Sequence, residues 1–176
     1  MLDRIKTFAP HIIAGFAAVV FTDSLRFKFT NAPETQVIFG KLNGWASSFG
    51  ADGLFAQTGL FSQYTIGTAE LIAATLLIVG IHPALRRLQA IGALIAFAVM
   101  SGAVSFHLFT PLGIDPNNDG GGLFAAAVVI WFTSIVLMTI RRKELAALGK
   151  GLSNTLFPER VSLPKLSPAP IASAKD

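Results

Sequence analysis

A chain of 176 residues that is 52% apolar and only 14% charged, with a mean hydropathy of +0.60, falls well short of the roughly 25% charged residues of a soluble domain. The deficit is concentrated in long apolar stretches, and the basic residues behind the net charge of +4 sit at the ends of those stretches, so nucleic acid is not an expected partner and membrane lipid is. Cysteine is absent, which excludes disulfides, thiolate catalysis and iron–sulfur ligation.

The first apolar run is Phe8 to about Phe29, with Arg4 and Lys6 before it and Asp23, Arg26 and Lys28 in its far half. Its Val19–Ser24 portion lacks the small-x-small pattern of a cleaved signal peptide, so a retained span is expected. Pro33-Glu34 then reads as a helix start. Val37, Ile38, Leu42 and Trp45 recur at helical spacing, as in an amphipathic helix lying in the outer interface. The Gly- and Phe-rich stretch Gly44–Gly59 is expected to fold back over the mouth of a bundle.

Three further runs follow, Ser62–Ile81, Leu88–Phe109 and Leu123–Ile140, each close to the ~20 residues that cross a bilayer as a helix. Asp115-Pro-Asn-Asn-Asp-Gly120 matches the first half of a calcium loop. The position of its bidentate carboxylate is Ala126, however, and a tight Asn/Asp/Gly turn explains the same residues without metal. Past Lys150 come Pro158, Pro164, Pro168 and Pro170 among serines and alanines. The expected architecture is an all-α membrane protein. Residues 1–150 form a four-transmembrane-helix bundle with an outer interfacial amphipathic helix, and residues 151–176 form a flexible cytoplasmic tail. Basic residues before the first span, at Arg86-Arg87 and at Arg141-Arg142-Lys143 orient both termini to the cytoplasm, in a bacterial inner membrane.

One carboxylate interrupts the second run. Glu70 costs roughly 2.5–3.5 kcal/mol at a bilayer centre, while each Leu, Ile, Val or Phe returns about 0.3–0.6, so the span still inserts. Gln63, Gly67, Glu70, Ala73 and Ala74 share one helical face whose small residues admit a neighbouring helix, which turns Glu70 toward protein. Two readings stay open: a carboxyl that binds helices together, or a group that handles protons or ligand. Asp23, Arg26 and Lys28 from the first span, and His107 from the third, reach the same outer half and complete a candidate cluster around a pocket. Asp23 and Arg26 also have the i,i+3 spacing to pair with each other. His11 and His82 each adjoin a proline and make a poor haem pair, and no trio of residues suggests zinc.

Phe21–Glu34 (FTDSLRFKFTNAPE) followed by Val37-Ile-Phe39, the glutamate helix Gly67-Thr-Ala-Glu70 ending in Leu76–Gly80, and the end Ser105-Phe-His107 of the third run together resemble DoxX-like membrane proteins over about residues 8–142. The resemblance implies a four-helix membrane bundle. It also implies kinship with small subunits of quinone-linked redox complexes, such as thiosulfate:quinone oxidoreductase subunits. Glu70 is the residue it carries over, with Lys28 and His107 beside it. The stretch Gly44–Gly59, the Asp115–Gly122 turn and the Pro-rich tail depart from the pattern. On this basis the chain is expected to be a small integral subunit of a redox-linked membrane complex. Quinone is its candidate cofactor, other membrane or redox subunits are its partners, and Glu70 and His107 are its candidate catalytic groups, with Asp23, Arg26 and Lys28 binding ligand. The alternatives are a structural or assembly protein without ligand and a small-solute transporter.

Overall fold

The computed structural model describes residues 2–157, with side chains from Phe8 onward. The described residues fold into helices and turns, with no strand among them. The helices are α1 (Leu2–Phe29), α2 (Pro33–Ser47), α3 (Gln63–Val79), α4 (Arg86–Phe109), α5 (Gly122–Ile140) and α6 (Arg142–Leu156). Three segments, Phe8–Phe29, Pro83–Phe109 and Gly122–Ile140, are long and apolar enough to cross a membrane. At 17 residues α3 is shorter, about 26 Å of helix.

Helices α1, α3, α4 and α5 pack side by side, each against the next in the chain, with α5 returning to α1. Their ends show antiparallel packing. Lys28, near the end of α1, meets Gln63 and Glu70 in the first turns of α3, and Arg141 after α5 meets Gln89 at the start of α4. The distribution of side chains explains why these helices associate. The buried core is largely small, with Ala14, Ala17, Ala18, Ala73, Ala74, Ala93, Ala96 and Ala127 around a few larger residues such as Phe21, Leu77 and Ile130. Large apolar groups such as Phe8, Ile12, Phe16, Val19, Ile72, Leu94, Phe132 and Val136 point outward. Lipid solvates these as well as protein does, so close backbone approach through small residues carries the association.

That approach is closest between α3 and α4. A Cβ added to Gly80 would stand 2.2 Å from the backbone nitrogen of Gln89, and one on Gly92 would stand 2.9 Å from that of Leu77. Ser62 accepts a hydrogen bond from the Thr65 N–H at the start of α3, which caps that helix one residue before the carboxamide of Gln63.

A second, smaller core closes one end of the bundle. Leu42 and Ala46 of α2, Phe55 of the following loop and Leu112 after α4 are buried together, with Ile38, Phe39, Trp45 and Phe106 around them. The Gly44–Gly59 stretch thus contributes to packing at the bundle mouth. Most of the apolar side of α2 is taken up by protein.

The segment between α4 and α5 is held by its own carboxylates. Asp115 accepts from the Asp119 N–H at 2.7 Å, and Asp119 accepts from Gly121 and Leu123 at 3.0 and 2.8 Å. The last of these bonds satisfies one of the first donors of α5, and the Leu123 N–H above all holds the Asp119 carboxyl below its ordinary pKa. At the opposite end of α5, Arg141 is buried and donates to the Gln89 carboxamide at 2.8 Å. Burial pushes its guanidinium pKa down, and Glu144 at 3.8 Å opposes the shift. Helix α6 runs to Leu156, past Lys150 where the tail was expected to begin. The remainder of that expected tail, 158–176, lies outside the described residues.

Candidate functional site

Helix α3 turns Gln63, Gly67, Glu70, Ala73 and Ala74 inward, the face expected from their spacing, and buries Leu77 as well. Glu70 is only 3% exposed and lies about 10 Å, or seven residues, along the helix from its start. The group that meets it is the ammonium of Lys28, at 2.9 Å from Oε2 and 3.1 Å from Oε1. Ser24, one turn before Lys28 on α1, receives a hydrogen bond from the same ammonium and donates its hydroxyl to Glu70 Oε2 at 3.3 Å. The stem of Lys28 lies beside Gly67, where even an added Cβ would stand 3.5 Å from it, an ordinary contact distance, and from there the side chain reaches Glu70.

Above this ion pair is a layer of carboxamides. Gln63, 1% exposed, donates to the Lys28 carbonyl at 2.9 Å and to Asn31 Oδ1 at 3.0 Å, and accepts from Gln36 at 2.7 Å. Gln36 and Gln57 also donate to Asn31 Oδ1. Asn31 adopts the left-handed conformation (φ 57°) at the turn between α1 and α2, which asparagine tolerates better than most residues. The carboxamides Gln36, Asn43, Gln57 and Gln63 line a cleft of about 130 Å³ together with Phe39 and Phe55. Asn43 Oδ1 is buried there without a partner.

The structure divides the five residues expected to surround one pocket. Lys28 and Glu70 come together. Asp23 and Arg26 instead pair with each other at 3.0 Å on the exposed side of α1, where the Arg26 guanidinium also stacks over Phe27. With their charges already matched and solvated, neither is directed at the buried pair. His107 is buried near the end of α4, where its Nδ1 is 2.6 Å from the Gly113 carbonyl and its ring packs against Phe124. This arrangement ties the end of α4 to the segment that follows it. The carboxylates of Asp115 and Asp119 are committed to the backbone N–H groups of their own turn, and no group of three or more potential metal ligands gathers among the described residues.

Ser24, Asn31, Gln36, Asn43 and Gln57 were not anticipated. Ser24 was in principle visible at i−4 from Lys28. The other four depend on how α2 and the following loop fold over the bundle, which has no periodic signal.

The chemical capacity of the site follows. A carboxylate and an ammonium share a buried hydrogen-bonded pair with a hydroxyl, and only one layer of carboxamides separates them from an open cleft. The pair clamps α1 to α3. No family model matches the chain, and no curated protein or solved structure matches it either.

Proposed function

We propose that this protein is a four-span membrane subunit, with α3 as the fourth span and α2 lying across the outer mouth. In this reading the Lys28–Glu70–Ser24 cluster exchanges protons for a redox-linked complex. The observation that carries it is the burial of a charged pair inside an apolar bundle, directly beneath a polar cleft. Ionisable groups in such surroundings mark functional paths more often than lipid-exposed surface does. The DoxX-like pattern of the glutamate helix supports the redox assignment, as does the position of Lys28 opposite it. A quinone is the ligand that reading names. Gln57 and Asn43 supply polar groups to its carbonyls, Phe39 and Phe55 offer flat apolar walls, and the Lys28 ammonium, held by Glu70 and Ser24, carries the proton to be exchanged. His107 then supports the α4 end of the site as a positioning residue. The short α3 spans by local thinning of the bilayer, at a cost of fractions of a kcal/mol per Å.

The test is gentle extraction from the native membrane, with mass spectrometry of both the co-purifying polypeptides and the small molecules. Stoichiometric redox subunits or a retained quinone support this function. A lone protein carrying bulk lipid overturns it in favour of a structural role. That second reading has its own observation: Lys28, Glu70 and Ser24 satisfy one another within a bracket between two helices, needing no further group.

A further inference from the structure

The last described helix carries a pattern that the bundle does not use. At 100° per residue, Leu145, Leu148, Leu152 and Leu156 of α6 fall within about 80° of arc, while Lys143, Lys150 and Asn154 lie on the opposite side. The first two leucines are half-buried where α6 runs beside the start of α4. The last two overhang the bundle, 61% and 62% exposed, and Phe157 follows them into the open. The face that packs against the bundle edge therefore continues over whatever lies next to the bundle.

Chain geometry identifies that neighbour. α5 is one of the candidate spans and ends at Ile140, while α6 begins at Arg142, so a single residue separates the two. That residue, Arg141, is held by Gln89 of α4 and cannot swing away from the bundle. The root of α6 is thus fixed at the level where the spans leave the apolar layer. Exposed Ile78, Val79 and Leu85 lie at the same end of the bundle. The charges complete the pattern: Arg86, Arg87, Arg142, Lys143 and Lys150 are all exposed at this end, and the single acidic residue of α6, Glu144, faces Arg141.

We infer that α6 docks on the bilayer surface, with its leucine stripe in the acyl boundary of the leaflet where α5 ends and its basic residues on anionic lipid headgroups. A helix of this kind, with leucines on one face and lysines on the other, gains from both buried apolar area and attraction to anionic lipid. The joint also links α6 to the bundle, because Arg141 connects it to α4.

The absence of cysteine makes the test clean in the full-length protein. Single cysteines replace Leu152 or Leu156 on the stripe, and Ala147 or Asn154 opposite it. Each carries an environment-sensitive fluorophore and is reconstituted into phosphatidylcholine vesicles with or without phosphatidylglycerol. Lipids brominated on their acyl chains should quench the 152 and 156 labels severalfold more than the 147 and 154 labels. Phosphatidylglycerol should widen that contrast, and high salt should narrow the gain. Equal quenching at all four positions overturns the docking. Indifference to phosphatidylglycerol overturns the headgroup contacts. Stripe labels that are shielded from both brominated lipid and aqueous iodide, and that become accessible as the protein is diluted in lipid, assign the face to a second copy and overturn the lipid reading. Using two stripe positions guards against a local disturbance from either substitution.

Discussion

Lys28 and Glu70 form a salt bridge with little exposure on either side chain. Removing one partner of a buried ion pair leaves an uncompensated charge, so Lys28→Ala should destabilise the protein by about 3 kcal/mol, read as a lower unfolding midpoint in detergent. The double replacement Lys28→Met/Glu70→Leu should lose less than Lys28→Ala, because apolar groups of similar size leave no buried charge unpaired. A Lys28→Ala midpoint equal to that of the native protein would show that the pair holds nothing. Glu70→Gln retains most hydrogen-bonding capacity while removing the titratable group. If the cluster handles protons, turnover in the native complex should fall at least tenfold in this variant while insertion is unchanged; native turnover would remove that role. The turn before α5 offers a pH test. Asp119 holds its proton less tightly when folded, so the stability it contributes is complete above the ordinary carboxylate value of 3.8 and is lost as pH falls below it. Asp119→Ala should therefore cost about 1 kcal/mol at neutral pH, with the difference from the native protein closing below about pH 4. A difference that does not vary with pH would show that the carboxylate charge contributes nothing.

Among the helices, the α3–α4 contact is the least forgiving. An added Cβ at Gly80 meets backbone rather than a movable side chain, so Gly80→Ala should cost about 1–3 kcal/mol, and Gly92→Ala somewhat less. Gly67→Ala should be milder, since the nearest atoms lie at ordinary contact distance on Phe29 and Lys28 side chains. Comparing the three unfolding midpoints checks the order, and a Gly67→Ala loss as large as that of Gly80→Ala would contradict it. Much of this level was legible in the sequence. Three apolar runs matched the candidate spans to within a few residues, and the inward face of α3 followed from small residues at helical spacing. The role of α2 was only partly legible, because amphipathic periodicity does not distinguish a lipid interface from a second protein core. Where Leu42 and Ala46 pack depended on Phe55, Phe106 and Leu112, distant in sequence.

Seen whole, the molecule is arranged for an apolar surround. Its core is lined with alanine, and its large apolar side chains form the outer surface. If α3 completes the set of spans, Ala84 and Asp52 lie on opposite sides of the bilayer, since the α3 helix runs between them. Single cysteines at these exposed positions, tested with a membrane-impermeant thiol reagent on intact cells, should react from opposite sides. Reaction of both from the same side would leave α3 as a packed but non-crossing helix. The sequence by itself determined the membrane class, the positions of the long helices and the inward turn of Glu70, because hydropathy and helical period act locally. Tertiary structure alone decided which charge meets Glu70. Lys28, Arg26 and Asp23 lie within two turns of one helix, and only the rotation of α1 against α3 brings Lys28 inward and leaves the other two paired in the open. His107 shows the same limit: its place in sequence suggested a site, and only the fold of the following segment sets the Gly113 carbonyl 2.6 Å from its Nδ1.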